Sequence, residues 1–450
     1  MALTGIQIYK LLPKTNCKDC GEPTCLAFAM KLAAGQAELA LCPHVSEEAK
    51  SQLEEASAPP IRPVTIGVGD NAVKIGGETV LFRHEKRFEN QPGIAVLVQS
   101  SMPDDEVNAK ISKLQELVYD RVGLTLRATM IAIKDDSGDS GKFVALINKV
   151  KGMVDVPLIL MSGDNAILKA GASACAEKKP LLYLASKDGL DLIAETAKET
   201  NCPVAIKGEG LDDVIEMTEK LTAAGLKDIV IDSGTRSVKQ AFEDQIIIRR
   251  AALISKLKPL GFPTITFPCE MTDDPLKEAL IASMLIAKYG GIIVLSDMQG
   301  HSLFPLLLES MNIFTDPQRP MATTEGIYEI GTPDESSPVL ITSNFSLTYF
   351  IVSGEIEASR VSSYLLVKET EGLSVMTAWA AGKFVADAIA PFVNKCGISD
   401  KVKHRKLIIP GYAAAISGEL DEELPDWEIL IGPREASQIP AYLKNQWSAD

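Results

Sequence analysis

Cys17, Cys20, Cys25 and Cys42 follow a C-x2-C-x4-C-x16-C spacing, and Pro43 comes directly after the last of them. The remaining cysteines, Cys175, Cys202, Cys269 and Cys396, stand singly along the rest of the chain. Thiolates grouped in this way are soft ligands, suited to an iron–sulfur cluster or to a metal ion. Cys17, Cys20 and Cys25 can wrap three corners of a cluster, with Gly21 and Pro23 setting the turn between the second and third. Cys42 then closes the cage from a distance. The proline after Cys42 resembles the one after the last ligand of ferredoxin loops, although the spacing differs from theirs. Structural zinc competes with this reading, but zinc ribbons usually present two short Cys pairs and only one C-x2-C occurs here. A cysteine-rich loop without metal is the third possibility. His44 reads as a surface residue beside Cys42 and not as a replacement ligand. The favoured occupant is a [4Fe–4S] cluster on the four leading cysteines.

The elements that must carry these thiols form a small module over residues 1–57. Thr4 caps a helix from Gly5 to Leu12, which Pro13 ends. A second helix runs from Thr24 to Ala34 and stops at Gly35, and Ser46-Glu-Glu opens a polar third. Residues 58–63, within Ser57-Ala-Pro-Pro-Ile-Arg-Pro63, read as a stiff linker. Residues 64–315 open with a hairpin turning at Gly76-Gly77 and then repeat a β-branched run followed by an amphipathic helix. The runs are Ile94–Val98, Arg127–Ile133, Pro157–Met161, Leu181–Ala185, Pro203–Lys207, Asp228–Ile231, Thr264–Phe267 and Gly291–Leu295. Their continuous Val/Ile/Leu content predicts parallel strands covered on both faces. That count in such a length is the arithmetic of a central (β/α)8 TIM-type barrel, with an open doubly wound sheet as the weaker option.

Residues 316–337, rich in Pro and Gly, read as a tether. Residues 338–450 repeat strand and helix on a smaller scale, with strands at Val339–Thr342, Tyr364–Lys368, Lys406–Ile409 and Glu428–Ile431. The expectation is a flavodoxin-like open parallel sheet whose ligand crevice lies beyond the carboxyl ends of its strands. The whole is an α/β protein in three parts.

Composition narrows the function. A net charge of −15 argues against nucleic-acid binding. No apolar run approaches the ~20 residues of a membrane helix. The opening Met-Ala-Leu-Thr-Gly-Ile-Gln lacks a secretion-signal pattern, and isolated cysteines suit a reducing compartment, so a cytoplasmic location is expected. The acidic run from Glu419 to Asp426 reads as a solvated loop.

The cysteine module resembles an iron–sulfur domain found in the large subunit of the corrinoid/iron–sulfur protein and in a subunit of a membrane-linked electron-transport complex. The order of the three regions selects the former. The whole chain resembles the large (gamma) subunit of the corrinoid/iron–sulfur protein of the acetyl-CoA decarbonylase/synthase (CO dehydrogenase/acetyl-CoA synthase) system. The segments that carry the likeness are Thr342-Ser-Asn-Phe-Ser-Leu-Thr-Tyr-Phe350, Glu371-Gly-Leu-Ser-Val375, Ile409-Pro-Gly-Tyr-Ala-Ala-Ala-Ile-Ser-Gly-Glu419 and Ile431-Gly-Pro-Arg-Glu-Ala-Ser437.

That resemblance implies a methyl carrier. A cobalt corrinoid takes a methyl group as Co(I) from methyltetrahydrofolate or methyl-tetrahydrosarcinapterin, held on a separate methyltransferase, and delivers it to acetyl-CoA synthase. The cluster restores Co(I) after accidental oxidation. The implied partners are a small corrinoid/iron–sulfur protein subunit, the methyltransferase, acetyl-CoA synthase and a reductive activator. The implied corrinoid contacts are Thr342, Thr348, Gly372, Leu373, Ser374, Val375, Gly411, Tyr412, Gly432, Pro433, Arg434, Glu435 and Ala436. None of the chain's histidines sits in the D-x-H-x-x-G signature of proteins that ligate cobalt with imidazole, and His404 reads as a solvated residue, so a base-off corrinoid without a protein His ligand is expected. Lys207, Asp232 and Asp297 fall past barrel strand ends and are assigned structural roles. The alternatives are an iron–sulfur electron-transfer protein and a self-contained pterin-dependent barrel methyltransferase.

Overall fold

The computed structural model describes all residues except 1–3, 34–36, 38, 47–48, 51–52, 54–57, 185–186 and 450. The chain divides into two compact units. One comprises Met1–Leu81, Glu89–Leu117 and Ala128–Ser310; the other comprises Phe82–Phe88, Val118–Arg127 and Met311–Asp450.

The first unit begins with helix Gly5–Leu11, opened by a capping box in which Thr4 and Gln7 satisfy each other's backbone N–H groups. Helix Cys25–Ala33 follows. Its expected stop at Ala34-Gly35, the Glu47-Glu48 start of a third helix and Ser57 of the linker lie outside the described residues. The end of that linker is not free. Arg62 N–H donates to the Gly261 carbonyl at 3.0 Å and Ile61 O accepts from Gly77 at 2.9 Å, with Ile61 buried.

Strands β1 (Val64–Ile66) and β2 (Val73–Ile75) pair antiparallel. Their turn is at Gly67–Ala72, not at Gly76-Gly77 as the sequence suggested. Gly67 and Gly69 take positive φ and a single 3-10 turn spans Gly69–Asn71. Gly76 instead lets the chain pass against Arg62, whose carbonyl oxygen would lie 2.4 Å from any Cβ there.

The barrel strands are β3 (Gly93–Gln99), then, after the small β4–β5 hairpin (Tyr119–Arg121 and Leu124–Leu126), β6 (Met130–Lys134), β7 (Leu158–Ser162), β8 (Leu181–Leu184), β9 (Val204–Lys207), β10 (Ile229–Asp232), β11 (Ile265–Thr266) and β12 (Ile292–Leu295). The expected last residue of β8, Ala185, lies outside the described residues. Each barrel strand pairs parallel with the next along the chain, and β12 returns to β3. The ring closes between β10 and β11 through one bridge, Ile231 to Thr264, and the bond from Ile231 N–H to the Pro263 carbonyl at 2.9 Å.

Alternate residues enter the interior, among them Ala95, Leu97, Met130, Ala132, Ile159, Met161, Leu181 and Tyr183, and the β1–β2 hairpin adds Val64, Ile66 and Ile75. The residues between them, such as Val96, Ile131, Leu160 and Leu182, are equally buried. Each such side chain contributes about 1.5–3 kcal/mol by leaving water. The helices that follow the strands start sharply where Asp139, Asp164 and Asp274 accept two backbone N–H groups each.

In the second unit, β13 (Gly326–Ile330), β14 (Val339–Ser343), β15 (Ser363–Lys368), β16 (Lys406–Ile409) and β17 (Glu428–Ile431) form one sheet in the order β13-β15-β14-β16-β17. The four parallel strands have the flavodoxin order. The fifth, β13, corrects the expectation of an irregular tether: Gly326–Ile330 pairs antiparallel with β15 along its whole length. Helices Ser346–Ser359 and Ile439–Asn445 cover one face, packing Ile356, Ile439 and Leu443 on Leu340, Leu365 and Ile408. Helices Ala386–Lys395 and Ser417–Glu423 cover the other. The acidic run is therefore partly helical, not a loop, because Leu420 and Leu424 bury while their charged neighbours face water. No helix among the described residues is long and apolar enough to cross a membrane.

A buried ion pair ties the hairpin extension to the barrel. Arg249 Nη2 donates to Glu78 Oε2 at 3.1 Å, both side chains being almost fully enclosed, and the guanidinium lies 4.6 Å from the Tyr289 ring centre. Glu78→Ala strands the guanidinium and is expected to cost about 3 kcal/mol, read as a lowered midpoint in urea unfolding.

Candidate functional site

Two of the leading thiols are inside the module. Cys25 and Cys42 are buried, and Cys20 packs on the same apolar cluster, which includes Ile8, Leu12 and Phe28; Cys17 is exposed. Asn16 bridges the loop to the helix start. Its Oδ1 accepts from Cys25 N–H at 2.8 Å, and its own N–H donates to Cys25 Sγ at 3.4 Å. Lys14, Asn16 and Lys18 alternate at positive φ. A soft four-thiol set with an N–H···S bond already made is the donor chemistry an iron–sulfur cluster needs. His44 is exposed, at the surface position expected of it, and has a partner there. Its Nε2 lies 2.6 Å from Asp19 Oδ2, and one donor atom each from Cys17, Asp19 and His44 fall within 4.8 Å of one another. The bond from His44, then that from Cys17, holds the Asp19 carboxyl below its ordinary range.

At the carboxyl ends of β14, β16 and β17 the second unit opens into a cavity of about 250 Å³. Leu340 and Ile408 lie among its apolar lining, with Ile351, Val352, Met376 and Ile439. Nine of the thirteen expected contact residues also line it: Thr342, Thr348, Ser374, Val375, Tyr412, Gly432, Pro433, Arg434 and Ala436. Ile351, Met376 and Tyr412 are 47, 44 and 46% exposed, so much of the lining is apolar surface facing solvent. Thr342 is 1% exposed, yet its Oγ1 has no hydrogen-bond partner among the described residues. A buried hydroxyl without a partner costs free energy unless a ligand supplies one.

The other four expected residues do not line the cavity. Gly372, at positive φ, donates to Asn344 Oδ1 at 2.9 Å. The same oxygen accepts from Thr370 N–H and Oγ1, and Leu373 O accepts from Thr370 Oγ1. Asn344, which the sequence reading passed over inside its own motif, thus fastens the end of β14 to the loop after β15. A Cβ on Gly411 would meet the Gly432 carbonyl oxygen at 2.6 Å and Arg434 N at 2.8 Å, so its bareness lets two loops cross. Glu435 accepts from the Tyr412 hydroxyl at 2.7 Å, a bond that pushes the phenol upward in pKa. These four shape the rim.

His404 is at the opposite, amino end of β16. Its Nε2 bonds to the Ser337 carbonyl at 2.9 Å, its Nδ1 accepts from Lys406 N–H, and its ring meets Trp447 edge-on. It is half-buried and structural, where a solvated residue was expected, and no histidine lines the cavity among the described residues.

In the barrel, Asp232 is buried and accepts from Tyr183 Oη at 2.7 Å, from Gly234 N–H at 2.8 Å and from both terminal nitrogens of Arg236. Arg236 Nε reaches Glu270 Oε2, and Glu270 Oε1 accepts from Lys134 at 2.9 Å. Asp297 pairs with Lys113 at 2.6 Å. Lys207 borders a smaller cavity with Lys134, Arg236 and Glu270.

A family model described as "CO dehydrogenase/acetyl-CoA synthase delta subunit" matches residues 63–443, and one described as "Putative Fe-S cluster" matches residues 12–44. The chain is 44% identical over 444 residues to the corrinoid/iron-sulfur protein large subunit of Moorella thermoacetica, covering 99% of each. It is 35% identical to the acetyl-CoA decarbonylase/synthase complex subunit gamma of Methanopyrus kandleri, over 99% of this chain and 98% of that one. The corresponding subunit of Methanothermobacter thermautotrophicus is 33% identical over 98% and 99%.

Burial pushes the Glu270 carboxyl up, but the bonds from Lys134 and Arg236 outweigh it and hold the group below its ordinary 4.5. A depressed carboxylate stabilises the fold fully above its ordinary range and loses that contribution as pH falls through the depressed value. Glu270→Gln is expected to lower stability at neutral pH by about 1 kcal/mol and to flatten the acid limb of a stability–pH curve, measured by urea unfolding at a series of pH values.

Proposed function

The chain belongs to the family of corrinoid/iron–sulfur protein large subunits and acetyl-CoA decarbonylase/synthase gamma subunits, and from that premise we propose that it is a methyl carrier of the acetyl-CoA pathway. It would accept a methyl group originating on methyltetrahydrofolate or methyl-tetrahydrosarcinapterin and deliver it to acetyl-CoA synthase. The groups it would hold are a [4Fe–4S] cluster on Cys17, Cys20, Cys25 and Cys42 and a corrinoid in the cavity of the last sheet. When bound, the corrinoid supplies a cobalt centre that takes up and passes on the methyl group, and the cluster supplies the electron that restores that centre after oxidation.

The observation that carries this reading is the buried Thr342 hydroxyl, without a partner among the described residues, in a mostly apolar, open cavity at the strand ends. Thr342 and Thr348 offer hydroxyls to the ligand's polar edge. Val375, Met376 and Ile351 exclude water from its face. Tyr412, held by Glu435 and 6.0 Å under the Arg434 guanidinium, stiffens the loop after β16. Among the described residues no histidine lines the cavity, and the corrinoid would be held in the base-off form. The cavity is smaller than a corrinoid, so the bound ligand would protrude from it. A second surface must cover the remainder, and a small corrinoid-protein subunit is the proposed cover. The methyltransferase, acetyl-CoA synthase and a reductive activator would engage the same carrier in turn. In the module, the Asn16 N–H on Cys25 stabilises a thiolate and the apolar packing of Ile8 and Phe28 shields the cluster's inner side.

Anoxic protein should carry about four iron atoms and one cobalt per chain, and Cys25→Ser should lose the iron while retaining cobalt. Protein with neither metal refutes the proposal. Thr342→Val, nearly isosteric, should leave the corrinoid-free chain as stable or slightly more so and weaken corrinoid binding about three- to tenfold, measured by absorbance titration.

A further inference from the structure

The mouth of the barrel has a second cavity, of about 80 Å³, at the carboxyl ends of β6, β7, β8 and β9. This is where barrels of this type keep their ligands, and the methyl-carrier reading makes no use of it. Its charges are unevenly satisfied. Glu270 is held between Lys134 and Arg236. Asp135 accepts from Ser162 Oγ and Gly138 N–H, each at 3.0 Å. The Tyr183 hydroxyl donates its hydrogen bond to Asp232. Lys207 lines the same space and has no ion pair or hydrogen bond to any described residue. Lys134 spends one of its three N–H groups, on Glu270. The unmet groups facing this cavity are therefore donors. None of its lining side chains is an orphaned buried acceptor among the described residues.

We propose that this mouth binds a small carboxylate monoanion, of one or two carbons, on the Lys207 ammonium with Lys134 as its second donor. Size and charge set the class. The cavity is well below the ~300 Å³ at which drug-sized ligand sites begin, yet has room for a molecule of a few heavy atoms. A bicyclic pterin has no room, because Tyr183, Arg236 and Asp232 lock the neighbouring volume with mutual bonds. Asp135 and Glu270 on the wall oppose a dianion, so one negative charge is the most the site accommodates. The Arg236 fork, fixed on Asp232 and stacked 4.6 Å from the Phe267 ring centre, forms a rigid floor.

The test is titration of the full, anoxically prepared chain with sodium acetate, sodium formate and inorganic phosphate, read by calorimetry. The expected result is saturable acetate or formate binding at one site. It should weaken about tenfold or more in Lys207→Met and stay close to the parent in Lys207→Arg. Independently of any variant, saturating acetate should slow acylation of Lys207 in the parent chain, read by peptide mass, while leaving the exposed Lys239 unchanged. Absence of saturable binding up to about 50 mM, unchanged acetate affinity in Lys207→Met, equal labelling of Lys207 with and without acetate, or a preference for phosphate would each overturn the proposal.

Discussion

Parallel pairing makes every strand of a sheet end on the same side, and both units of this chain are built on that constraint. Eight strands do so around the barrel and four do so in the last sheet. Each return journey needs a helix, so both faces of the barrel strands and of β14 and β15 are covered and their side chains are largely apolar, while the edge strand β17 stays open. The polar residues that remain are pushed to the strand ends. Thr342 stands one residue before the end of β14, Lys207 and Asp232 close β9 and β10, and each stands beside a cavity or a charge network.

What a strand end becomes depends on how its loop is fixed. In the last sheet the fixing is done largely by side-chain hydrogen bonds and bare backbone: Asn344 gathers three donors from the loop after β15, and Gly411 lets the loops after β16 and β17 touch. The result is a mostly apolar cavity in which Arg434 is the one charged residue of the lining among the described residues. In the barrel the fixing is ionic, through Arg236, Glu270, Asp232 and Lys134. That leaves a small, polar space. The same topology thus yields an apolar seat in one unit and a charged niche in the other, and the difference lies in a handful of side chains.

Much of this was legible from residue order alone. Long runs such as Ile94–Val98 and Pro157–Met161 located their strands because burial on both faces leaves no ambiguity of pattern. The β4–β5 hairpin was missed because Tyr119-Asp-Arg121 and Leu124-Thr-Leu126 are half polar and their turn uses Val122, at φ 52°, where Asn or Asp would have signalled it. Strand β13 hid among prolines and glycines, being an edge with only Ile330 buried. The β1–β2 turn was misplaced since Gly67, Gly69, Gly76 and Gly77 all bend the chain, and composition does not say which bend reverses it. Among the cavity residues, nine came from the motifs that carry the family resemblance, while the apolar lining of Leu340, Ile351, Val352, Met376, Ile408 and Ile439 was not expected, because apolar side chains read simply as core. Gly372, Leu373, Gly411 and Glu435 belong to the same motifs but hold the loops themselves, and sequence alone does not separate lining a cavity from bracing the loops around it. His44 was correctly placed at the surface, but its bond to Asp19 was not foreseen because the two lie 25 residues apart in sequence.

The barrel's closure is uneven. Seven seams are ordinary ladders, while β11 offers two residues and meets β10 through a single bridge. A ring of staves held by one weak hoop joint opens there first, so the space between β10 and β11 is where solvent would enter during native-state breathing, and that joint is the natural last step of assembly. Arg236 and Phe267 flank it on either side, which makes their stacking a latch across the slit as well as a floor for the cavity above.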